Sequence, residues 1–237
     1  MRVFSRLVDP SENQLLAALP HEELEHLLPT FQPISFSLGD VVYEFSGHLD
    51  YVYFPTSAII SLLYTMENGA SAEMGLTGND GVVGIALFMG GETMPNRAVV
   101  QSAGDAVRMK AKVLQEEFAM GGQFQRLLLR YTQALITQIS QTAVCNRLHS
   151  VEQQLCRWLL LSHDRVSTDE LIMTQELIAD MLGVRREGVT VAAGHLQDIG
   201  AISYVRGRIQ ILDRRKLEDT ACECYRVVKD EFDRLLG

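Results

Sequence analysis

Residues 174–197 constrain the fold most, because their small and apolar residues fall where two short helices must cross tightly. Ala179 would let the helices approach each other, and Gly183 would make the turn between them. The apolar positions then face one small core, formed by Ile178, Leu182, Val184, Val189 and Ala192. A helical hairpin inside a globular core would use the same glycine and alanine for packing alone, so the flanking sequence must decide between the two interpretations.

The outer face of the second helix carries the chemistry of a helix-turn-helix motif. Four polar residues lie near its N-terminal end: Arg185, Arg186, Glu187 and Thr190. When such a helix enters the major groove of DNA, these positions reach the base edges. We therefore predict that these four residues read bases.

The sequence after the motif favours the DNA-binding interpretation. Two β-favouring runs, residues 201–205 and 209–212, flank Arg206-Gly207-Arg208, which predicts a tight hairpin and hence a wing. We expect Thr174, Arg206 and Arg208 to contact phosphates, which position a protein on DNA without specifying sequence. A solvated run of charges is the alternative interpretation of these arginines.

The charge distribution supports a local rather than a general affinity for DNA. The formal net charge is −9. Residues 173–216, however, carry seven basic against five acidic residues, which gives +2. Since backbone attraction supplies most non-specific binding, an acidic protein with one basic face is expected to bind DNA selectively.

The cysteines predict neither a disulfide framework nor a metal site. Cys145, Cys156, Cys222 and Cys224 are scattered, and none forms a Cys-x-x-Cys pair. The N-terminal residues lack an apolar run of signal-peptide length, and the chain lacks a run long enough to span a bilayer. We expect a cytoplasmic protein with no cofactor, no metal and no membrane partner.

The sequence pattern of the first half of the chain is typical of a β domain. Short β-favouring runs alternate with Gly, Asn and Asp turns from about residue 34 to residue 111, at 41–43, 51–54, 59–64, 82–88, 98–101 and 106–109. This spacing predicts an antiparallel barrel or jelly roll. Glycines at 75, 78, 81 and 84 are not followed by Gly-Lys-Ser/Thr, so we expect them to make turns rather than to bind phosphate.

A long helix is predicted over about residues 122–148. Its apolar and small polar residues recur at intervals of three and four residues, which places them in a narrow seam along one side of the helix. The seam is formed by Leu128, Tyr131, Leu135, Ile139, Thr142 and Asn146. We predict that this seam contacts the same helix of a second copy and makes the protein a homodimer. Burial of the seam against the chain's own barrel is the alternative.

A capping box, Ser150 to Gln153, marks the domain boundary, because a new helix begins there and runs to about His163. We predict a sensing β-roll domain with the long helix over residues 1–149, and a winged helix-turn-helix domain over residues 150–237. The fold class is α+β. The amphipathic stretch 217–236 is expected to be one packing helix.

This layout resembles the Crp/Fnr family of bacterial transcription regulators over nearly the whole chain. The strongest part is residues 173–196, and the β domain adds Gly39-Asp40, Gly47, Gly69 and residues 51–54. The resemblance implies a homodimer that binds palindromic double-stranded DNA and acts with RNA polymerase. It makes Arg186 and Glu187 the base-reading pair, which agrees with their chemistry, since Arg bonds guanine and Glu accepts from cytosine. The family's further arginine is replaced by Val191.

The resemblance also places an effector pocket in the roll, at Gly84, Arg97 and Ser140. The glutamate that binds a ribose hydroxyl is missing beside Gly84, and Arg97 is one position out of register with the phosphate-binding arginine. Ile139-Ser140 keeps half of the pair that contacts adenine. We therefore expect an unknown effector and no response to cyclic AMP. The N-terminal cysteines of the iron–sulfur branch are also missing.

Other chemistries find little support. His21 and His26 are five residues apart, roughly 140° around a helix, whereas two zinc ligands on one face need a spacing of four. The sequence has no Gly-x-Ser-x-Gly elbow and no cysteine beside a plausible histidine base, so we do not expect an enzyme. The alternative to a DNA-binding regulator is a sensor or protein-interaction module that keeps the fold but has lost operator binding.

Overall fold

The computed structural model describes residues 8–237. The strands are β1 Gln32–Phe36, β2 Val41–Tyr43, β3 Tyr51–Pro55, β4 Ile59–Thr65, β5 Ser71–Thr77, β6 Arg97–Ser102, β7 Gly104–Lys110, β8 Glu170–Ile172, β9 Ile202–Val205 and β10 Arg208–Ile211. The helices are α1 Gln14–Ala17, α2 His21–Leu27, α3 Ala111–Met120, α4 Gly122–Leu148, α5 Val151–His163, α6 Gln175–Leu182, α7 Arg186–Asp198, α8 Arg214–Thr220 and α9 Glu223–Leu236. Short 3₁₀ turns lie at Pro10–Glu12, Leu28–Thr30 and Ile85–Leu87.

Two antiparallel sheets form the N-terminal β domain. One has the order β1-β7-β3, with Ile34 opposite Ala106 and Val52 opposite Met109. The other has the order β2-β6-β4-β5. Alternate side chains point between the sheets and are fully buried, as for Phe54 and Ile60, so the predicted β-roll is confirmed.

The predicted strand over residues 82–88 is wrong. Val83 forms only an isolated bridge with Tyr53, and Ile85–Leu87 is a 3₁₀ turn. Gly84 at the start of that turn has φ +106°, which ends extended structure at this point. The sequence before and after Gly84 is apolar because this turn is buried. An apolar run shows that a segment is buried but does not distinguish a strand from a turn.

Gly78 and Gly81 flank a turn, as expected, and the N–H of Gly81 donates to the Gly78 carbonyl at 3.1 Å. Gly75, Gly78 and Gly81 also permit close packing. A Cβ atom at Gly75 would meet the Gln138 side chain, and one at Gly78 would meet Arg165. At Gly81 the same atom would overlap the ring of Tyr131. These glycines therefore let the β domain approach α4 and the C-terminal domain.

The long helix α4 has the bounds that the sequence predicts. Its inward side is buried within the chain, by the β domain and by α9. Four of the six residues of the predicted dimer seam belong to that buried side: Leu128, Tyr131, Leu135 and Thr142. Ile139 is half-buried, and Asn146 is exposed.

A different side of α4 is exposed and partly apolar. Leu129 is 50% exposed and Ile136 is 56% exposed. With Ala143 they repeat every seven residues, and Ser140 and Val144 are exposed beside them. We call these five residues the outer stripe.

The C-terminal half begins with α5 and its capping box, as predicted. Ser150 Oγ accepts from the backbone N–H of Gln153, and the Gln153 side chain accepts from the N–H of Ser150. The stretch predicted as one helix over 217–236 is divided at Ala221-Cys222 into α8 and α9. Helix α9 returns to pack along α4, where the Phe232 ring lies edge-on to Tyr131 with centroids 6.3 Å apart.

Polar contacts join the β domain to the C-terminal half. Arg165, which follows α5, donates to Asp80 with Nε to Oδ1 at 2.9 Å and forms a second contact to the other carboxylate oxygen. Gln101 of β6 donates to Ser162 of α5 at 3.0 Å. These groups are buried between the two halves, so each half fixes the other's orientation.

None of the helices within residues 8–237 is long and apolar enough to cross a membrane. The expectation of no signal peptide concerns in part residues 1–7, which lie outside the described residues.

Candidate nucleic-acid interface

The helix-turn-helix is built by α6, the turn at Gly183 and α7. Thr174 caps α6 by accepting the N–H of Leu177 at 3.2 Å. Gly183 has φ +65°, the left-handed conformation that ends a helix, and the N–H of Val184 then returns to the Ala179 carbonyl at 3.0 Å. The residues predicted to face the shared core are buried, except for Val184, which is half-buried.

All four candidate base-reading residues lie exposed at the start of α7. Arg185 is the N-cap, and Arg186 and Glu187 form the first turn. Thr190 follows one turn later, and its hydroxyl contacts the Gln175 side chain at 2.9 Å. Val191 beside it is 74% exposed. The side chains thus project from one end of the helix, where a groove of DNA can reach them.

The predicted wing is present as the hairpin β9–β10. Arg206 and Gly207 both have positive φ, +50° and +79°, as a type I′ turn requires. The sheet has a third strand, β8, which pairs with β10 through Leu171 opposite Ile209. Sequence reasoning missed β8, because a three-residue strand gives too little alternation to detect.

An open cleft of about 320 Å³ joins the helix-turn-helix to the wing. Its lining residues are Thr174, Gln175, Arg186, Tyr204, Arg206 and Gly207. Three residues that the sequence assigned to DNA contact, from three separate elements, therefore share one surface. Arg206 and the Thr174 hydroxyl suit a phosphate backbone that runs past Arg186 on the base-reading helix.

Gln175 and Tyr204 are parts of this cleft that sequence reasoning missed. Gln175 positions Thr190, whereas Tyr204 donates from Oη to the Met173 carbonyl at 2.7 Å. Burial raises the pKa of Tyr204 to about 12, so the ring remains a neutral donor. Gln175 comes directly after the predicted cap at Thr174, and that proximity was the available signal.

The arginines of this region differ in how far their charge is available. Arg208 donates to Glu170 at 2.6 Å, and Arg214 is paired with Asp164 at 2.6 Å and with Glu218 at 2.8 Å. Within residues 8–237, no carboxylate lies within salt-bridge distance of Arg186 or Arg206. The cleft arginines are therefore better placed to attract an anion than Arg208.

The three candidate effector residues lie on different elements. Gly84 precedes the 3₁₀ turn, Arg97 begins β6, and Ser140 lies on the exposed side of α4. Arg97 is engaged by Glu44 at 3.4 Å.

Comparison with known proteins agrees with this geometry. Residues 153–220 match the family model of the Crp-like helix-turn-helix domain. The chain therefore contains a Crp-like helix-turn-helix domain. This domain covers the start of α5 to the end of α8, and so includes the cleft. No curated protein matches the sequence significantly.

Solved structures similar to the whole chain extend the likeness to the β domain. FixK2 from Bradyrhizobium japonicum is 17% identical, with a TM-score of 0.67 over 81% of this chain and 98% of its own. A CRP-family transcriptional regulator from Thermus thermophilus is 17% identical, with a TM-score of 0.65 over 79% and 96%. The c-di-GMP responsive regulator CLP from Xanthomonas campestris is 14% identical, with a TM-score of 0.64 over 81% and 99%. The chain carrying the Crp-like domain thus has the Crp/Fnr fold.

Proposed function

We propose that this protein is a homodimeric transcriptional regulator that recognises an inverted repeat in double-stranded DNA. The observation that carries the proposal is the cleft in which Thr174, Arg186 and Arg206 meet at the exposed start of α7. Its position in a Crp-like helix-turn-helix domain supports the same function.

The side chains divide by chemistry into base readers and phosphate contacts. Arg186 bonds the O6 and N7 of guanine, and Glu187 accepts from the N4 amino group of cytosine. Arg185 and Thr190 contact neighbouring bases. Thr174 and Arg206 hold the phosphate backbone across the cleft, and Arg208 contributes less because Glu170 already engages it.

Two copies are expected to join along α4. The outer stripe is a row of apolar and small residues that follows a seven-residue repeat, and the α4 helix of a second copy would cover it. Such a dimer presents two recognition helices related by a twofold axis, so the DNA site is an inverted repeat. RNA polymerase is the further partner that a regulator of this kind requires.

Selection from random duplex DNA, with sequencing of the bound pool, tests the proposal. We expect an enriched inverted repeat. Arg186→Ala should cost about 1–3 kcal/mol at that site and relax one base position in each half. Arg206→Ala is the matched control, since loss of a phosphate contact weakens binding to all sequences and lowers the salt dependence.

Two results would contradict parts of this function. Salt-sensitive binding without sequence enrichment would show that the fold has been kept without operator recognition, which is the alternative function. A tighter complex on addition of cyclic AMP would contradict our proposal that the β domain does not respond to that nucleotide.

A further inference from the structure

Three of the four cysteines come together with a histidine at the domain boundary. Cys145 is in the last turn of α4, His149 follows that helix, and Cys222 and Cys224 flank the start of α9. The donor atoms of these four residues all lie within 4.8 Å of one another. The expectation from sequence that the cysteines are scattered is therefore wrong for three of them, because the fold closes a separation of 77 residues.

We propose that Cys145, His149, Cys222 and Cys224 form a tetrahedral binding site for a zinc ion. We call these four residues the Cys₃His cluster. Three thiolates and one imidazole are a ligand set that zinc takes in closed, structural sites. Such a site has no open position for a substrate, so its role is to hold the chain rather than to catalyse.

The distances fit a single ion. Zinc with bonds of about 2.3 Å to sulfur and about 2.0 Å to nitrogen holds two sulfurs about 3.8 Å apart and a sulfur and a nitrogen about 3.5 Å apart. The Cys145 and Cys222 sulfurs are 3.5 Å apart, and Cys224 Sγ is 3.6 Å from His149 Nδ1. A polynuclear iron–sulfur cluster, which places several irons and sulfides between its thiolates, needs a wider opening than this.

The imidazole is oriented as a metal ligand is. Nδ1 of His149 faces the sulfur atoms, whereas Nε2 lies 3.5 Å from the carboxylate of Glu223. A histidine that donates from one nitrogen to a carboxylate presents the lone pair of the other nitrogen, and this arrangement is typical around bound zinc. Glu223 is thus the residue placed to act as that outer partner.

The three cysteines of the Cys₃His cluster are shielded from solvent. All three sulfurs are buried in a small cluster of their own, apart from the main core. The side chain of Arg157 on α5 is also buried, and it donates to the hydroxyl of Thr142 on α4, three residues before Cys145.

The overall charge is also balanced by this arginine. Zinc with three thiolates and a neutral imidazole carries one net negative charge, which is costly to bury without a cation. The Nε–H of Arg157 has no hydrogen-bond partner among the described residues, although the side chain is 3% exposed. Arg157, held against α4 by its contact to Thr142, is the buried cation that supplies the compensation. Metal binding releases the thiol protons to solvent.

Metal analysis of the purified full chain, without an affinity tag that binds metal, tests the proposal. We expect about one zinc ion per chain. Cys222→Ser and Cys224→Ser should lower that content about tenfold or more. Cys156→Ser is the matched control: Cys156 is a fully buried cysteine in α5, outside the cluster, and this variant should keep its zinc.

A measurement on the unmodified chain covers the case in which the cysteine variants fail to fold. X-ray absorption at the zinc edge should show three sulfur neighbours and one nitrogen neighbour. Cobalt added to the reduced, zinc-free protein should give thiolate charge-transfer bands and the visible bands of a tetrahedral ion. Protein that contains no zinc and gives no such bands would overturn the proposal. So would a Cys145–Cys222 disulfide in freshly prepared protein, or variants that keep their zinc.

Discussion

Glu73 on β5 is a buried acidic residue whose environment changes its protonation. Its carboxylate is buried and accepts a hydrogen bond from Ser61, whose hydroxyl also lies 2.7 Å from the Gln101 side chain. Burial raises the pKa of Glu73 to about 7, although Ser61 and the charge of Arg157 oppose that shift. Since Gln101 also donates to Ser162 of α5, this carboxylate belongs to the polar contact between the two halves of the molecule.

We expect Glu73→Gln to remove a pH dependence of stability. The folded protein keeps the Glu73 proton up to about pH 7, whereas the unfolded chain loses it above 4.5. The contribution to stability is therefore full below pH 4.5 and declines as the pH rises to 7. Above pH 7 the variant should be more stable than the wild type by up to about 3 kcal/mol, and near pH 5 the two should be alike.

Thermal unfolding at pH 5 and pH 8 measures this difference. Glu44→Gln is the control, because that carboxylate is largely exposed and should behave as the wild type does at both values. A shift of the same size for Glu73→Gln at both pH values would mean that the residue titrates normally.

At the scale of elements, α4 shows what a sequence pattern can and cannot predict. The bounds of α4 and its periodic buried face were predicted correctly, because spacing of three and four depends only on helix geometry. The spacing of apolar residues does not reveal which surface packs against the buried face of α4. In the structure, Leu128, Tyr131 and Leu135 are buried against other parts of the same chain. The Cys₃His cluster was missed for a related reason, since ligands 77 residues apart carry no local signal.

The two sides of α4 should respond differently to a charge. Ile136→Glu adds a carboxylate to the outer stripe and should release folded monomers, because a dimer would bury that charge opposite its own copy. Leu135→Glu, one residue away but 1% exposed, should unfold the chain instead. Sedimentation with circular dichroism distinguishes a folded monomer from an unfolded chain. Asn146→Glu is the control, and loss of the dimer in this variant alone would return the interface to the seam predicted from sequence.

Across the whole molecule, one hydrophobic core continues from the β domain through α4 and α5 into the helix-turn-helix. The predicted boundary at residue 150 is a real break between helices, but buried contacts cross it. The ion pair of Arg165 and Asp80 is one of these contacts, and its arginine side chain is only 3% exposed. The two residues are 85 positions apart in the chain, so no local sequence motif predicts their pairing.

Asp80→Ala should destabilise the entire protein rather than one half. It leaves a buried guanidinium without its carboxylate, which costs about 3–5 kcal/mol. Denaturant unfolding followed by both fluorescence and circular dichroism should show one transition at a lower midpoint. Glu116→Ala is the control, because it breaks the exposed pair with Lys112 and should lower the midpoint far less. Two separate transitions for Asp80→Ala would show that the halves fold independently.

The return of α9 to α4 has a mechanical consequence. The segment between Cys145 and Cys222 leaves and re-enters the rest of the molecule at nearly the same point, where the two sulfurs are 3.5 Å apart. A body held at two distant points loses most of its rotational freedom, whereas a body whose two tethers meet can turn about their meeting point while neither tether stretches. The two ends of the segment that contains the helix-turn-helix therefore leave its orientation open, and the buried contacts that cross the domain boundary, Asp80–Arg165 among them, set that orientation.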